Sequence, residues 1–335
     1  MFDPNAPAAP NSGIFGLPYS EQDAKLVFIP VPWEATTSYL GGTSSGPSAI
    51  LQASKQVDLY DIDVPRSYEP GMHMLSTSNV IQELDLETRR CSETDVDRVN
   101  ELCAKLNRCV YAETKKQLSA RKLVGIVGGD HSVPFGAIEA ASELHKSFGI
   151  LHLDAHADLR KAFEGYTWSH ASIMYNVIEW IPAVIKLVQA GVRDFCEDEI
   201  EYIHGQSNKI TTFFDRDVVR ACYGGSTWKN IASDIISHLP EKVWVSFDID
   251  ALNPHLCPHT GTPVPGGLEF NQAMFLVSEL VRSGRKIIGF DLCEVAPNST
   301  DKNDEWDANV GARVLYQLSA WMFASQGLVK PRALK

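Results

Sequence analysis

The feature that most constrains the fold is an alternation of short apolar runs with amphipathic stretches along most of the chain. The runs are strand candidates at Leu26–Pro30, Leu123–Val127, Ile150–Leu153, Ile185–Ala190, Ile210–Phe214, Val243–Phe247 and Ile287–Phe290. Several are apolar throughout, which is typical of strands covered by helices on both faces. The helix candidates are Asp95–Ser119, Pro134–His145, Trp228–His238, Phe270–Arg282 and Asn309–Ala324. This alternation predicts a single-domain, three-layer α/β/α fold around a mostly parallel sheet.

The 335 residues suffice for one large α/β domain or two smaller ones, and the sequence contains no internal repeat and no convincing linker. We therefore predict one domain over residues 25–330. Residues 1–24, rich in Pro, Asn and Ala, are expected to form an arm on the surface or on a neighbouring subunit. Residues 55–95 are the least regular segment and are expected to lie outside the core.

Charge and composition exclude several classes of protein. A net charge of -12 gives no basic footprint for nucleic acid. No apolar stretch approaches the roughly 18 residues of a membrane span, and the N-terminus has no pattern of a secretory signal. Seven scattered cysteines without a CxxC pair indicate reduced thiols. We expect a cytoplasmic protein with no membrane segment and no nucleic-acid partner.

Acidic and histidine-bearing motifs follow three of the predicted strands. Gly128-Gly129-Asp130-His131-Ser132 follows the first, Asp154-Ala155-His156-Ala157-Asp158 the second, and Asp248-Ile249-Asp250 the third. Since sites in open parallel sheets form beyond the carboxyl ends of strands, these side chains are expected to converge. Six of them are candidate metal ligands: His131, Asp154, His156, Asp158, Asp248 and Asp250.

Charge favours a pair of divalent cations at this edge. Four crowded aspartates would raise one another's pKa values, whereas two divalent ions balance their charge. Carboxylate and imidazole ligands without thiolate suit Mn²⁺, Ni²⁺, Co²⁺ or Fe²⁺. Any one of these motifs alone is more often a capped turn with a satisfied histidine, so the prediction depends on all three occurring together.

These motifs resemble those of the ureohydrolase family of arginases, agmatinases, guanidinobutyrases and formiminoglutamases. In the family's order the chain carries Pro30-Val31-Pro32-Trp33-Glu34 through Gly46-Pro47-Ser48-Ala49-Ile50, the motifs GGDHS and DAHADLR, and the segments Ser246–Pro254, Thr260–Leu268 and Gly289–Pro297. The resemblance covers nearly the whole chain. It implies a binuclear-metal hydrolase, with Ni or Mn as cofactor, that cleaves a small cationic guanidino compound to urea plus ammonia or an amine.

The resemblance also implies a role for each matching residue. His131 and Asp158 would hold one metal, His156 and Asp250 the other, and Asp154 and Asp248 would bridge them. Asp158, His170 and Glu294 would be catalytic: Asp158 orients the attacking water, His170 is a proton shuttle of near-neutral pKa, and Glu294 binds the guanidinium. Asp130 is expected to orient a ligand.

The expected substrate depends on the loop Leu159–Ser169, which lacks the arginase pattern and is rich in aromatic residues. It indicates a smaller, more closed pocket, so arginine is not the expected substrate. The opening segment, the loop 33–38 and the motif Ser169-His170-Ala171-Ser172 are most similar to the nickel-dependent guanidine hydrolase branch. Free guanidine is therefore the preferred substrate, with agmatine, 4-guanidinobutyrate, an alkylated guanidine or a biguanide as alternatives. Thr36, Thr37 and Trp168 are expected to contact substrate.

Two further hypotheses come from other classes. A non-catalytic metal-binding subunit would be expected to lose a ligand or the shuttle, yet this chain keeps all of them. Nucleophilic catalysis is disfavoured because no G-x-S-x-G elbow occurs and no cysteine adjoins the histidine motifs. By resemblance, we also expect a homo-oligomer, a hexamer or a trimer.

Overall fold

The computed structural model of the protein describes residues 2–9, 11–92 and 94–333, so Met1 and Pro10 of the predicted arm lie outside the described residues. Eight strands form one sheet in the order β2-β1-β3-β8-β7-β4-β5-β6, and every neighbouring pair in it is parallel. The strands are β1 Leu26–Val31, β2 Met72–Met74, β3 Leu123–Gly128, β4 Phe148–Leu153, β5 Val184–Ala190, β6 Ile210–Phe213, β7 Lys242–Asp248 and β8 Lys286–Cys293.

Helices cover both faces of the sheet, so the predicted three-layer α/β/α architecture is confirmed. Helices α1 and α7 to α10 pack on one face, and α2 to α6 pack on the other. Their bounds are α1 Gly46–Ala53, α2 Asn79–Thr88, α3 Val96–Ser119, α4 Phe135–Leu144, α5 Ile173–Trp180, α6 Glu197–Gly205, α7 Asp215–Tyr223, α8 Trp228–Ser237, α9 Phe270–Arg282 and α10 Trp306–Ser325. No helix in the described ranges combines the length and apolar character needed to cross a bilayer.

Parts of the segment 55–95 belong to the core, so the expectation that the whole segment lies outside was wrong. Strand β2 extends the sheet by pairing Met72 with Leu26 of β1. Helix α2 buries Ile81 and Leu84 against the same face as α3. A three-residue edge strand is too short to show a period, and α2 has only a few apolar positions.

The N-terminal arm is partly anchored within its own subunit. Ile14, Phe15 and Leu17 are buried in the core, and the Phe15 ring lies 5.0 Å from that of Tyr316 in α10. Residues 2–9 are mostly exposed. Packing of these residues on a neighbouring subunit stays a prediction.

The sheet order places four strands side by side at its centre: β3, β8, β7 and β4. All four run in parallel, so their carboxyl ends meet at one edge. The three predicted motifs follow β3, β4 and β7, and Glu294 follows β8.

Candidate metal and substrate site

Three of the predicted carboxylates surround one imidazole nitrogen. His131 Nδ1 lies 2.9 Å from Asp154 Oδ2, 3.2 Å from Asp248 Oδ2 and 3.3 Å from Asp158 Oδ2. All four side chains are buried. One ring nitrogen carries at most one hydrogen and cannot satisfy three anionic oxygens, whereas a cation among them would.

A second group of the same kind forms around His156. Its Nδ1 lies 3.1 Å from Asp250 Oδ2 and 3.4 Å from Asp154 Oδ1. Asp154 therefore presents one oxygen to each imidazole, as a carboxylate bridging two cations would. The structure brings all six candidate ligands together at this edge of the sheet.

The pKa values reflect the crowding of carboxylates. Burial alone would lower the pKa of His156, but Asp250 and Asp154 raise it to about 12. Burial, reinforced by Asp154, raises the pKa of Asp158 to about 6. Burial and the charges of Asp250 and Asp154 likewise raise the pKa of Asp248 well above its usual value. Cations at this position would allow all four carboxylates to ionise, so the donor set fits two divalent ions.

A sulfur atom lies on the other side of His131. Cys293 lies with Asp291 on the Nε2 side of that ring, and the three residues are close enough to share an ion. Burial raises the pKa of the Cys293 thiol well above its usual value.

Local backbone geometry holds the site in place. A Cβ at Gly129 would lie 1.9 Å from the carbonyl oxygen of Trp33, so only glycine lets the loop after β3 approach β1 this closely. Asp158 and Glu294 adopt left-handed conformations, with φ of 55° and 63°. Such conformations cost on the order of 1–3 kcal/mol each and persist where surrounding bonds fix them. The Glu294 N–H, for example, donates to the Gly129 carbonyl at 2.8 Å.

Glu294 presents a buried carboxyl oxygen without a hydrogen-bond partner next to the backbone of His131. Its Oε1 accepts the His131 backbone N–H at 2.8 Å. Its Oε2 is buried and has no hydrogen-bond partner among the described residues. Burial raises the pKa of this carboxyl well above its usual value, and Asp130 adds to that effect. A cationic donor at Oε2 would remove the cost of burying this group.

A cavity of about 160 Å³ opens beside the cluster. Its lining includes His156, Asp158, His170, Phe163, Arg160 and Asp194. The Arg160 guanidinium lies over the Phe163 ring, 4.9 Å from its centroid. The cavity therefore joins the predicted ligands and shuttle to a wall that contains two aromatic rings (Phe163 and Phe195), one cation (Arg160) and two carboxylates (Asp194 and Glu199).

His170 lies at the cavity, but its environment differs from the expected one. Burial, together with the neighbouring His156, lowers the pKa of His170 to about 4. In these surroundings the pKa of the imidazole lies below the near-neutral value that was expected. The neutral ring therefore predominates at pH 7, and its protonated form would give up the proton readily.

None of the four predicted substrate contacts lines this cavity: they are Glu294, Thr36, Thr37 and Trp168. Thr36 is buried and links two other residues: it contacts Asp130 Oδ2 at 3.4 Å and accepts the His170 N–H at 3.2 Å. From the loop 33–38, Ser38 is among the described residues that line the cavity, whereas Thr36 and Thr37 are not. Trp168 is also absent from that lining.

The interpretation of Trp168 as a substrate contact needs correction. Its ring packs edge-on against Phe135 at 4.8 Å and Trp180 at 4.6 Å, on the helical side of its loop. Counting aromatic residues in the loop could not separate those facing the cavity from those facing helices α4 and α5.

Polar residues inside the central strands were missed by sequence reasoning. Ser246 Oγ lies 2.9 Å from His131 Nε2 and donates to Asp291 Oδ1 at 2.8 Å. His152 Nε2 lies 2.9 Å from Asp154 Oδ2. Each of the three is a buried polar residue within an otherwise apolar strand, and such a residue needs a specific partner. That signal could have identified them.

Comparisons with known proteins identify the family of the chain. A sequence model of the arginase family matches residues 24–320. The chain is 31% identical over 283 residues to a Thermus thermophilus protein named N(1)-aminopropylagmatine ureohydrolase, covering 84% of this chain and 85% of that one. It is 30% identical over 308 residues to a protein of the same name from Synechocystis, covering 92% of each. The solved structure of proclavaminate amidinohydrolase from Streptomyces clavuligerus superposes with a TM-score of 0.73 at 24% identity, over 95% of this chain and 99% of that one.

The chain belongs to the arginase family. It is a metal-dependent amidine hydrolase of the ureohydrolase class, as the motifs predicted.

Proposed function

We propose that the protein hydrolyses a small guanidino compound to urea at a centre of two divalent metal ions, with free guanidine as the preferred substrate. The observation that carries the proposal is the unpaired, buried Oε2 of Glu294 beside the Asp–His cluster. A buried carboxylate with one free oxygen is suited to a planar cation that donates two N–H bonds.

The six candidate metal ligands, Glu294 and His170 each have a role in this proposal. His131, Asp154, His156, Asp158, Asp248 and Asp250 would hold the ions. Bound there, two divalent ions supply Lewis acidity that lowers the pKa of water. Glu294 Oε2 binds the guanidinium and fixes its carbon beside the cluster. His170, neutral at pH 7, accepts a proton at a ring nitrogen and returns it to the departing amine. Free guanidine would give urea and ammonia.

The cavity supports a substrate without a long cationic tail. Phe163 and Arg160 stand beside His156 and His170 in its wall, which leaves about 160 Å³ of space. The Arg160 side chain is 36% exposed and its Nε lies 3.7 Å from Glu199 Oε2, so a paired guanidinium already occupies the wall that the distal ammonium of a substrate such as agmatine would approach. A steric clash or a like charge in the wall weakens binding of a long substrate. A small substrate that never reaches those groups loses little binding energy.

A second candidate is a substrate with a cationic tail, as the names of the Thermus and Synechocystis relatives would indicate. The observation that favours it is Asp194, an exposed carboxylate that also lines the cavity. An ammonium group could pair with it, although an exposed ion pair contributes only about 0–1 kcal/mol.

Urea release from a panel of compounds tests the proposal. Metal-free protein is loaded with Mn²⁺ or Ni²⁺ and assayed with guanidine, agmatine, 4-guanidinobutyrate and arginine. We expect the highest kcat/KM with guanidine under the better of the two metals. A higher kcat/KM with agmatine under both metals would contradict the choice of substrate and leave the reaction class intact.

Variants at two positions of one loop distinguish a side chain that lines the cavity from a side chain that packs against the helices. Phe163→Ala is expected to lower the ratio of kcat/KM for guanidine to kcat/KM for agmatine, because it removes one of the two aromatic rings that line the cavity. Trp168→Ala is the matched control, since its ring faces Phe135 and Trp180. It is expected to lower stability by roughly 1–3 kcal/mol in thermal or urea unfolding while leaving that ratio unchanged. The reverse pattern would contradict the assignment of the wall.

The shuttle role of His170 has its own test. His170→Ala is expected to depress kcat by roughly 100-fold through loss of proton transfer, while both metals stay bound. Steady-state rates across a pH series, with metal content measured in parallel, provide the check. Wild-type turnover at every pH would exclude a proton-transfer role.

A further inference from the structure

A chain of hydrogen-bonded polar groups runs from the half-buried Thr212 of strand β6 to the metal-ligand candidate Asp154. Thr212 Oγ1 donates to Gln189 Oε1 at 2.8 Å, and Gln189 Nε2 lies 3.0 Å from His152 Nδ1. His152 Nε2 then lies 2.9 Å from Asp154 Oδ2. The side chains of Gln189 and His152 have no exposed surface. None of these three polar residues has a role in the proposed function.

The neighbouring groups determine which atoms donate. Gln189 Nε2 also lies 2.7 Å from the carbonyl oxygen of Ala157, which can only accept. The Ala157 carbonyl therefore fixes the amide nitrogen on the side that faces His152, and the Thr212 hydroxyl donates to Oε1 on the other side. The Nδ1 atom of His152 therefore accepts a hydrogen bond from the Gln189 amide. The ring hydrogen then lies on Nε2, the atom that faces Asp154 Oδ2.

We propose that His152 is a positioning residue for the metal centre, donating its Nε2–H to Asp154 and holding that carboxylate with one oxygen toward each metal-binding imidazole. This inference rests on the proposed two-metal function. His152 and Asp154 are two residues apart at the end of β4, so their side chains lie on the same face of the chain. An N–H donor held in place by Gln189 fixes the orientation of the carboxylate.

Mn²⁺ binding to the whole protein tests the role without using activity. Metal-free wild type and His152→Phe are titrated with Mn²⁺, and the free ion is quantified by its EPR signal. Phenylalanine has a similar shape and no donor, so the dissociation constant is expected to rise about 10- to 100-fold, the usual effect of losing a partner of a metal ligand. The number of Mn²⁺ ions bound at saturation is expected to stay the same.

A second pair of variants keeps the test informative if His152→Phe does not fold. Thr212→Val removes the hydroxyl that orients Gln189 at nearly constant volume, and it should weaken Mn²⁺ binding in the same direction by a smaller factor. Thr211→Val is the matched control, because successive side chains of a strand point to opposite faces. Its Mn²⁺ affinity is expected to equal that of the wild type.

The outcomes separate this inference from the proposed function. If the wild type bound no Mn²⁺, the metal centre and the role of His152 would both be wrong. If the wild type bound Mn²⁺ and both His152→Phe and Thr212→Val bound it equally well, only the positioning role would be overturned. Loss of one Mn²⁺ per chain at saturation in His152→Phe would replace positioning with direct ligation.

Discussion

Asp154→Asn is expected to abolish urea release and to reduce the number of metal ions bound per chain. Asp154 is the only candidate ligand in the described part of the chain whose two oxygens face two different imidazoles, at 2.9 Å from His131 and 3.4 Å from His156. The amide is neutral and keeps one acceptor oxygen, so one of the two anionic contacts is lost. Metal analysis of the purified variant, alongside a urea assay, measures both effects.

Asp85→Asn is a suitable control for that experiment. Asp85 is a buried aspartate on α2 that pairs with Arg89 and accepts the Glu34 backbone N–H at 2.8 Å, outside the six-ligand cluster. This control should keep the metal content of the wild type even if it loses stability. Two metal equivalents bound by Asp154→Asn would contradict the bridging assignment.

Glu294→Gln is expected to lower kcat/KM for guanidine by at least about tenfold, since charge-assisted hydrogen bonds contribute roughly 1.5–3 kcal/mol each. Glutamine can still accept the His131 N–H through its oxygen, but its amide group places a neutral donor where Oε2 should accept. Both metals should stay bound, because Glu294 contacts the backbone of His131 and leaves the ring nitrogens free.

The combined pattern is what distinguishes Glu294 from a metal ligand. Steady-state kinetics and metal content are measured on the same preparation, with Glu294→Asp as a variant that keeps the charge but shortens its reach. If Glu294→Gln lost a metal ion, the carboxylate would belong to the metal centre. If its kcat/KM matched that of the wild type, Glu294 would not bind the guanidinium.

Much of the fold and most of the site were predictable, because the signals are local. The strands that carry the site are short apolar runs, and each is followed directly by its functional motif, as Leu123–Gly128 is by Asp130 and His131. Parallel strands end at one edge, so a correct strand prediction also indicates which side chains converge.

What could not be predicted depends on side-chain direction and on packing between distant segments. The sequence shows three aromatic residues in one loop, yet only the fold shows that Phe163 lines the cavity while Trp168 packs on α4 and α5. The low pKa of His170 likewise arises from burial beside His156, not from its sequence neighbours. Strand β2 was missed because three residues at a sheet edge carry no period.

The central claim is that two divalent ions and this cluster together convert a guanidinium to urea, and a metal titration tests it most directly. Urea release from guanidine is followed while Mn²⁺ or Ni²⁺ is added stepwise to metal-free protein, with bound metal counted at each step. The account predicts no urea from the metal-free protein and a rate that rises until two ions are bound per chain. Full activity without metal, or no urea from any guanidino compound with two ions bound, would contradict it.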